Sequence, residues 1–377
     1  MELLTVREAA KVLNVSQAVV RRQIAAGHLP SVKLGRVVGI PRDALERAGA
    51  SEAAAPAATP RPLDGLRVLT VEQIIAGPFA SLILAAFGAD VIRIERPPNG
   101  DLYRNTPPYV ENVHGRTGSG LLANALNKRS LALDLQQEEA REIFRRLAAR
   151  SDVVLENNRP GVMDRLGLGY HALREINPRL VYVSISGFGQ KWASDSPYAD
   201  WPAFDIVAQA MGGLMMRAGK TGDPPIYPGL TLGDHYPGTM AVIGCLLALR
   251  WRDLTGEGQH VDISMLDATA VLLSTVFAQH SFDPELPLRR NVATAFPYGA
   301  FACADGYFVV AVAGDAIWQR FCKILDRPDL YANPTLRLGA DRVKRAGFIS
   351  EIIETWAAGK TALEASQACV AAGIPAA

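Results

Sequence analysis

Asp234 stands between Gly233 and His235, with Pro237 and Gly238 close behind, in the stretch GLTLGDHYPGTMAVIGCLLALRWRDLTGEGQHVDISMLDA at 229–268. An apolar helix is predicted from Thr239 to Trp251, then a Gly-broken turn at 255–258 and a strand at 260–263. An acid on a glycine-flanked loop at a helix start is open to solvent and to ligand. The amides of that helix start would keep it ionised, so it offers a charged oxygen to whatever binds there. The same pattern describes an ordinary N-cap or turn aspartate, and the local residues leave both readings open. A second kind of chemistry lies in fixed cations. Arg96 ends a predicted strand, Lys128 and Arg129 precede another, Arg159 follows a third and Arg165 begins a helix. Cations at the ends of parallel strands suit phosphate, although each one alone reads as a solvated surface charge.

The elements that must position these residues alternate. From Leu63 a strand at 66–70, a helix at 79–87 and a strand at 88–95 make a βαβ unit, hence a parallel sheet with a right-handed crossover. Strands at 130–134, 153–156 and 180–186 and helices at 138–150 and 163–166 continue the pattern. The expected fold class is α/β: a Rossmann-like, doubly wound parallel-sheet domain over 63–280. A smaller α+β domain over 281–377 follows, with a hairpin at 299–312. No G-x-G-x-x-G follows the first strand, so NAD-type binding is unsupported, and the Gly-rich run at 115–120 reads as a mobile loop. A helix is expected at 266–279.

Residues 1–49 form a unit of their own, joined by an Ala/Pro-rich linker at 50–62. Thr5-Val-Arg-Glu8 is a capping box, Ser16 caps a second helix, and two short β-prone runs follow at 31–34 and 36–40. Helix, tight turn, helix and hairpin make a small winged helix-turn-helix. Eight Lys and Arg against four Asp and Glu make the unit basic, which suits phosphate contacts through Arg21, Arg22, Lys33 and Arg36. The stretches LTVREAAKVLNVS and VRRQIAAGHLP resemble excisionase and MerR-type DNA-binding modules, which implies DNA as a partner of residues 1–49.

Over the whole chain 39 basic residues balance 38 acidic ones, so no general bias toward nucleic acid or membrane exists. Cys245, Cys303, Cys322 and Cys369 are far apart, with no C-x-x-C pair, and read as reduced thiols without a disulfide frame or metal site. The longest apolar run, 240–249, is too short to span a bilayer, and no signal peptide is evident. A cytoplasmic protein without a membrane partner is expected.

Several motifs in order carry a second resemblance: AGPFASLILAAFGADVIRIERP at 76–97, LNKRSLALDL at 126–135, ENNRPGVMDRLGLGY at 156–170, SISGFG at 184–189, FDIVAQAMGG at 204–213 and the Asp234 stretch. Together they resemble the class III CoA-transferases, the family of formyl-CoA and carnitine-CoA transferases, over 62–377. The resemblance implies that Asp234 is the nucleophile. It also implies that Ala76, Arg96, Asn127, Lys128, Arg129, Asn157, Asn158, Arg159 and Arg165 line the site of a CoA thioester, a substrate and not a permanently bound cofactor. CoA would pass from an acyl-CoA to a carboxylic acid. Asp205 matches a second acidic position, an acid/base residue in the related α-methylacyl-CoA racemases. His171 is the nearest histidine candidate to pair with it, so a racemase is the alternative, and an acyl-CoA-sensing DNA-binding regulator is another. Ser186 and Pro202 stand where the formyl-CoA branch has lysines, which disfavours formyl and oxalyl groups. The family also implies an interlocked homodimer, closed by a segment beyond Ala377 that returns to the large domain.

Overall fold

The computed structural model describes residues 3–12, 16–25, 29–34, 37–45, 59–112, 115–193, 195–219, 222–284 and 295–377. Two compact units are present, 1–64 and 65–377. No helix among the described residues is long and apolar enough to cross a membrane.

The first unit runs β1 (Leu3–Thr5), α1 (Val6–Val12), α2 (Gln17–Ala25), β2 (Val32–Leu34), β3 (Val37–Pro41) and a helical turn at 42–45. The strands form an antiparallel sheet in the order β1-β3-β2. Thr5 and Glu8 close the expected capping box, each side chain taking the other's amide, at 2.8 and 3.3 Å. Ser16 Oγ accepts the Val19 amide at the start of α2. Ala9, Ala10, Val20, Leu29, Ile40 and Leu45 make the core. Residues 46–58, most of the expected linker, lie outside the described residues.

In the second unit β4 (Arg67–Val71), α3 (Ala76–Ala86) and β5 (Asp90–Glu95) form the expected βαβ unit. A hairpin of β6 (Tyr109–Asn112) and β7 (Gly115–Gly118) leads into α4 (Ser119–Asn124). The 115–120 run is therefore strand and helix start, not the loop expected from its glycines. Packing accounts for the composition: a Cβ at Gly118 would lie 2.0 Å from the Tyr103 carbonyl. Then come β8 (Lys128–Ala132), α5 (Glu138–Ala148), β9 (Val153–Glu156), the short α6 (Val162–Arg165) and α7 (Tyr170–Ile176), and β10 (Val181–Ser186). The sheet side closes with α8 (Asp205–Met211), α9 (Leu232–Thr255), β11 (His260–Ser264), α10 (Met265–Val271) and α11 (Ser274–Phe282). The helix expected at 266–279 is thus two helices.

All six sheet strands are parallel, in the order β11-β10-β9-β4-β5-β8. Counted along the chain, this is the strand order 3-2-1-4-5-6 of dinucleotide-binding folds. β9 and β10 are buried throughout, as strands covered on both faces must be. Leu69, Ile92, Val154 and Tyr182 pack with Phe144 and Ala148 of α5. A separate core gathers the antiparallel pair β12 (Tyr298–Cys303) and β13 (Gly306–Ala311) with α12 (Asp315–Ile324), α13 (Pro328–Ala332), α14 (Gly339–Lys344), α15 (Ala346–Ala357) and α16 (Ala362–Ala371). Phe308, Trp318, Phe321, Ile349 and Ile353 are among its fully buried members. Cys245, Cys322 and Cys369 are buried free thiols, and Cys303 is half-buried.

Candidate active site

β4 and β9 are neighbours in the sheet, yet the chain leaves them toward opposite edges, β4 to β5 and β9 to β10. Such a switch point leaves a crevice beyond the strands' C-terminal ends. A cavity of about 340 Å³ opens there. Gln73, Ile74 and Ala76 after β4, Asn157, Asn158 and Arg159 after β9, and Ile185 and Ser186 from β10 line it. Trp201, Phe204 and Met265 add apolar wall, and Asp234 is the only carboxylate among the described lining residues.

Asp234 is not on a loop. It sits in the first turn of α9, which begins at Leu232 and contains Pro237. Glycine and proline near the aspartate signal a break, but the two glycines serve close approach. A Cβ at Gly233 would lie 2.5 Å from the Asp205 carbonyl, and one at Gly238 would lie 2.7 Å from the Ala76 carbonyl. These two glycines let the start of α9 touch the starts of α8 and α3. Thr239 Oγ1 donates to the His235 carbonyl at 2.9 Å within the turn that Pro237 interrupts.

The first amides of α9 are taken, and none reaches Asp234. Gly233 N donates to Asp205 Oδ1 at 2.7 Å, and the Asp234 and His235 amides donate to the Thr231 carbonyl. Asp234 is 9% exposed. Burial, with the Asp205 charge second, pushes its carboxyl from 3.8 up to about 7. The expectation that helix amides hold it ionised is overturned, because Asp205 caps the helix in its place.

Asp205 is buried and fully engaged. Gln209 Nε2 donates to both its oxygens at 3.0 and 2.8 Å, and the Tyr227 hydroxyl donates to Oδ2 at 2.9 Å. With Gly233 these are its partners among the described residues, and no histidine is one of them. His171 lies elsewhere, beside Tyr170 on a cavity of about 380 Å³ that His260, Trp192 and Arg165 also line. Tyr227 and Gln209 had no sequence signal. Only the α8 start could have hinted that an acid there would look for donors.

The remaining residues expected around the ligand separate into those on cavities and those away from them. Ala76, the first residue of α3, is buried against the Asp234 cavity. Asn157 and Asn158 line it too, but with committed side chains. Asn157 bonds both the amide and the carbonyl of Gln73 at 2.9 Å, and Asn158 donates through N and Nδ2 to the buried Glu156. Desolvation pushes Glu156 up to about 7. Arg159 is exposed at the rim, and no carboxylate partners it among the described residues. Arg96 lies 3.5 Å from Asp134 on an adjoining cavity of about 200 Å³, which shares Gln73, Asn158 and Val162 with the first.

Lys128, Arg129 and Asn127 line neither cavity, although the Lys128 side chain reaches from β8 to the segment behind the first. Residues that precede a parallel strand lie at its N-terminal edge, whereas the ligand crevice is at the C-terminal one. Asn127 is exposed at the entry to β8, in the left-handed region at φ 61°. Arg129 pairs there with Asp90, which also holds Arg67. The Lys128 side chain, 2% exposed, donates to Glu72 at 2.8 Å and to the Pro78 carbonyl at 2.7 Å. In the first unit Arg21 is exposed on α2. Arg36 and the side chains of Arg22 and Lys33 lie outside the described residues.

Comparison with known proteins gives the family. The family model described as CoA-transferase family III matches 63–377, and a helix-turn-helix domain model matches 3–48. Over 274 residues the chain is 42% identical to the succinyl-CoA:mesaconate CoA-transferase of Haloarcula hispanica, covering 72% of this chain and 69% of that one. It is 36% identical over 333 residues to the succinyl-CoA–L-malate CoA-transferase beta subunit of Chloroflexus aurantiacus, covering 85% and 78%. A CAIB/BAIF family protein from Brucella suis superposes with a TM-score of 0.74 at 32% identity, covering 84% of each chain. The chain therefore belongs to CoA-transferase family III, with a helix-turn-helix domain ahead of the transferase part.

Proposed function

We propose that the protein moves CoA from an acyl-CoA to a carboxylic acid through covalent catalysis by Asp234. What carries this reading is that Asp234 is the only carboxylate among the described lining residues of the switch-point cavity. A carboxylate oxygen of Asp234 attacks the thioester carbonyl, the C–S bond breaks, and a mixed anhydride and CoA thiolate result. The thiolate attacks the aspartyl carbonyl of the anhydride, giving an aspartyl-CoA thioester and releasing the donor's acid. The acceptor carboxylate attacks that thioester, and the returning thiolate takes the acceptor's acyl carbon, leaving Asp234 as it began. The anhydride and the thioester are of similar reactivity, so neither half traps the enzyme.

The acceptor and donor acids are short dicarboxylates. The relatives are named for succinyl, mesaconate, malate and glutarate groups, and the unpaired Arg159 at the rim suits a second carboxylate. Arg96, on the adjoining cavity, suits a CoA phosphate. Asp205 acts by capping α9. Its engagement with Gln209, Tyr227 and Gly233 supports that role over proton exchange in a racemase. Two copies associate, which would cover the exposed Ile243, Leu247, Trp251 and Leu254 of α9. The helix-turn-helix unit contacts DNA phosphates through Arg21 and its basic neighbours.

A screen of dicarboxylic acids against succinyl-CoA, read by mass spectrometry, tests the reaction. The expected finding is a new acyl-CoA and a CoA adduct on the peptide holding Asp234. Turnover that survives Asp234→Ala would overturn the mechanism.

A further inference from the structure

Between β4 and α3 the chain passes through Ile74 at φ 67°, a left-handed conformation that a β-branched residue adopts only under constraint. Ile74 lines the Asp234 cavity, and Ile75 after it caps α3. The segment is pinned from two sides. On one, Asn157 takes both backbone groups of Gln73. On the other, Asp101 Oδ2 accepts the Ile74 amide at 3.0 Å while its Oδ1 accepts the Tyr103 amide at 2.7 Å.

Asp101 is itself immobilised. It is 2% exposed, its Oδ2 also accepts from the buried Arg93, and its own amide faces Glu95. Arg93 Nε stands 3.6 Å from Glu72, which in turn holds Lys128. Four buried charges thus converge behind a three-residue bend. A buried ion cluster is a costly way to gain stability. It is a good way to hold one backbone geometry, because moving any member strands a charge away from water.

We infer that Asp101, locked by Arg93, Glu72 and Lys128, is a positioning residue for the transfer, fixing the left-handed Ile74 bend and with it the β4–α3 wall of the Asp234 cavity. This rests on the transferase reading of Asp234. Asp101 touches no substrate in this role. It acts through the Ile74 amide.

The substitution Ile74→Gly separates this from general structural support, since glycine reaches φ 67° without the steric penalty. The experiment is a double-mutant cycle of Asp101→Ala and Ile74→Gly in the full chain, reading kcat, CoA affinity, thermal midpoint and hydrogen exchange of 73–77. With Ile74 in place, Asp101→Ala is expected to lower kcat by about 10-fold or more, with CoA affinity little changed and exchange at 73–77 faster. In the Ile74→Gly background the same change should cost less than roughly threefold in kcat, although both proteins melt earlier. Should Asp101→Ala fail to fold, Asp101→Asn keeps the volume and one acceptor and runs the same cycle. Equal losses in both backgrounds, or wild-type exchange at 73–77 without the Asp101 carboxylate, overturn the proposal. Asp234→Ala distinguishes the two readings. Turnover that survives there removes the mechanism, while the exchange readout still decides Asp101.

Discussion

The two edges of the parallel sheet carry similar residue types and treat them differently. At the N-terminal edge charges neutralise one another: Arg67 and Arg129 share Asp90, and Arg252 of α9 pairs with Asp152 at 2.8 Å. At the C-terminal edge, beyond β4 and β9, Arg159 has no carboxylate partner among the described residues and Asp234 receives no helix amide. The N-terminal edge is closed throughout these pairs, whereas the C-terminal edge pairs Glu72, Asp101 and Asp134 but leaves Arg159 and Asp234 open on the cavity. Nearness to a strand therefore says little about function, and which end of the strand a residue follows says a great deal.

The sharpest way to break the comparison is at Asp234. Asp234→Ala should lower kcat by on the order of 10³-fold or more while CoA still binds, as steady-state kinetics and calorimetry will show. Next is Arg159→Ala, expected to raise KM for a dicarboxylate acceptor by roughly 10-fold or more with kcat nearly kept. A monocarboxylate acceptor should be far less affected.

The third test uses pH. In the proposed mechanism only ionised Asp234 attacks, so kcat/KM should climb with pH up to about 7 and then level. Stability runs the other way. A carboxyl raised from 3.8 to about 7 contributes in full below the lower value and loses that contribution as pH rises through the upper one. Asp234→Asn should therefore stabilise the fold at pH 8, by on the order of 2–4 kcal/mol, and hardly at all at pH 4. A midpoint difference between that variant and the native chain that is the same at pH 4 and pH 8 would contradict the buried charge. The smallest effect belongs to the closed edge: Arg129→Gln should leave kcat/KM within about threefold and cost under about 1 kcal/mol.

Much of this was legible in the chain itself. The period of strands and helices from 66 to 186 implied the parallel sheet, because strands buried on both faces read as continuous apolar runs. Asp234 was singled out from its neighbours and the family resemblance, and it lines the switch-point cavity. Its setting was not. Gly233, Pro237 and Gly238 look like a loop in one dimension, and only the approach of α8 and α3 explains the two glycines as contact points. Arg129 falls at the opposite edge from the cavity, where it pairs with Asp90, because a one-dimensional pattern marks strand ends without regard to direction. Asp101, Gln209 and Tyr227 carried no signal, since their meaning lies in partners brought together by the fold.

Helix α9 joins the two edges. Its 24 residues extend about 36 Å, with Asp234 in the first turn and Arg252 in the last, bound to Asp152. Asp152 also receives the backbone amide of Arg67 at the entry to β4. Asp234 is thus mounted on a strut whose far end is fastened to the sheet's own framework. In energetic terms, the reorganisation that a loop-borne carboxylate would undergo at each turnover is completed once, when the chain folds.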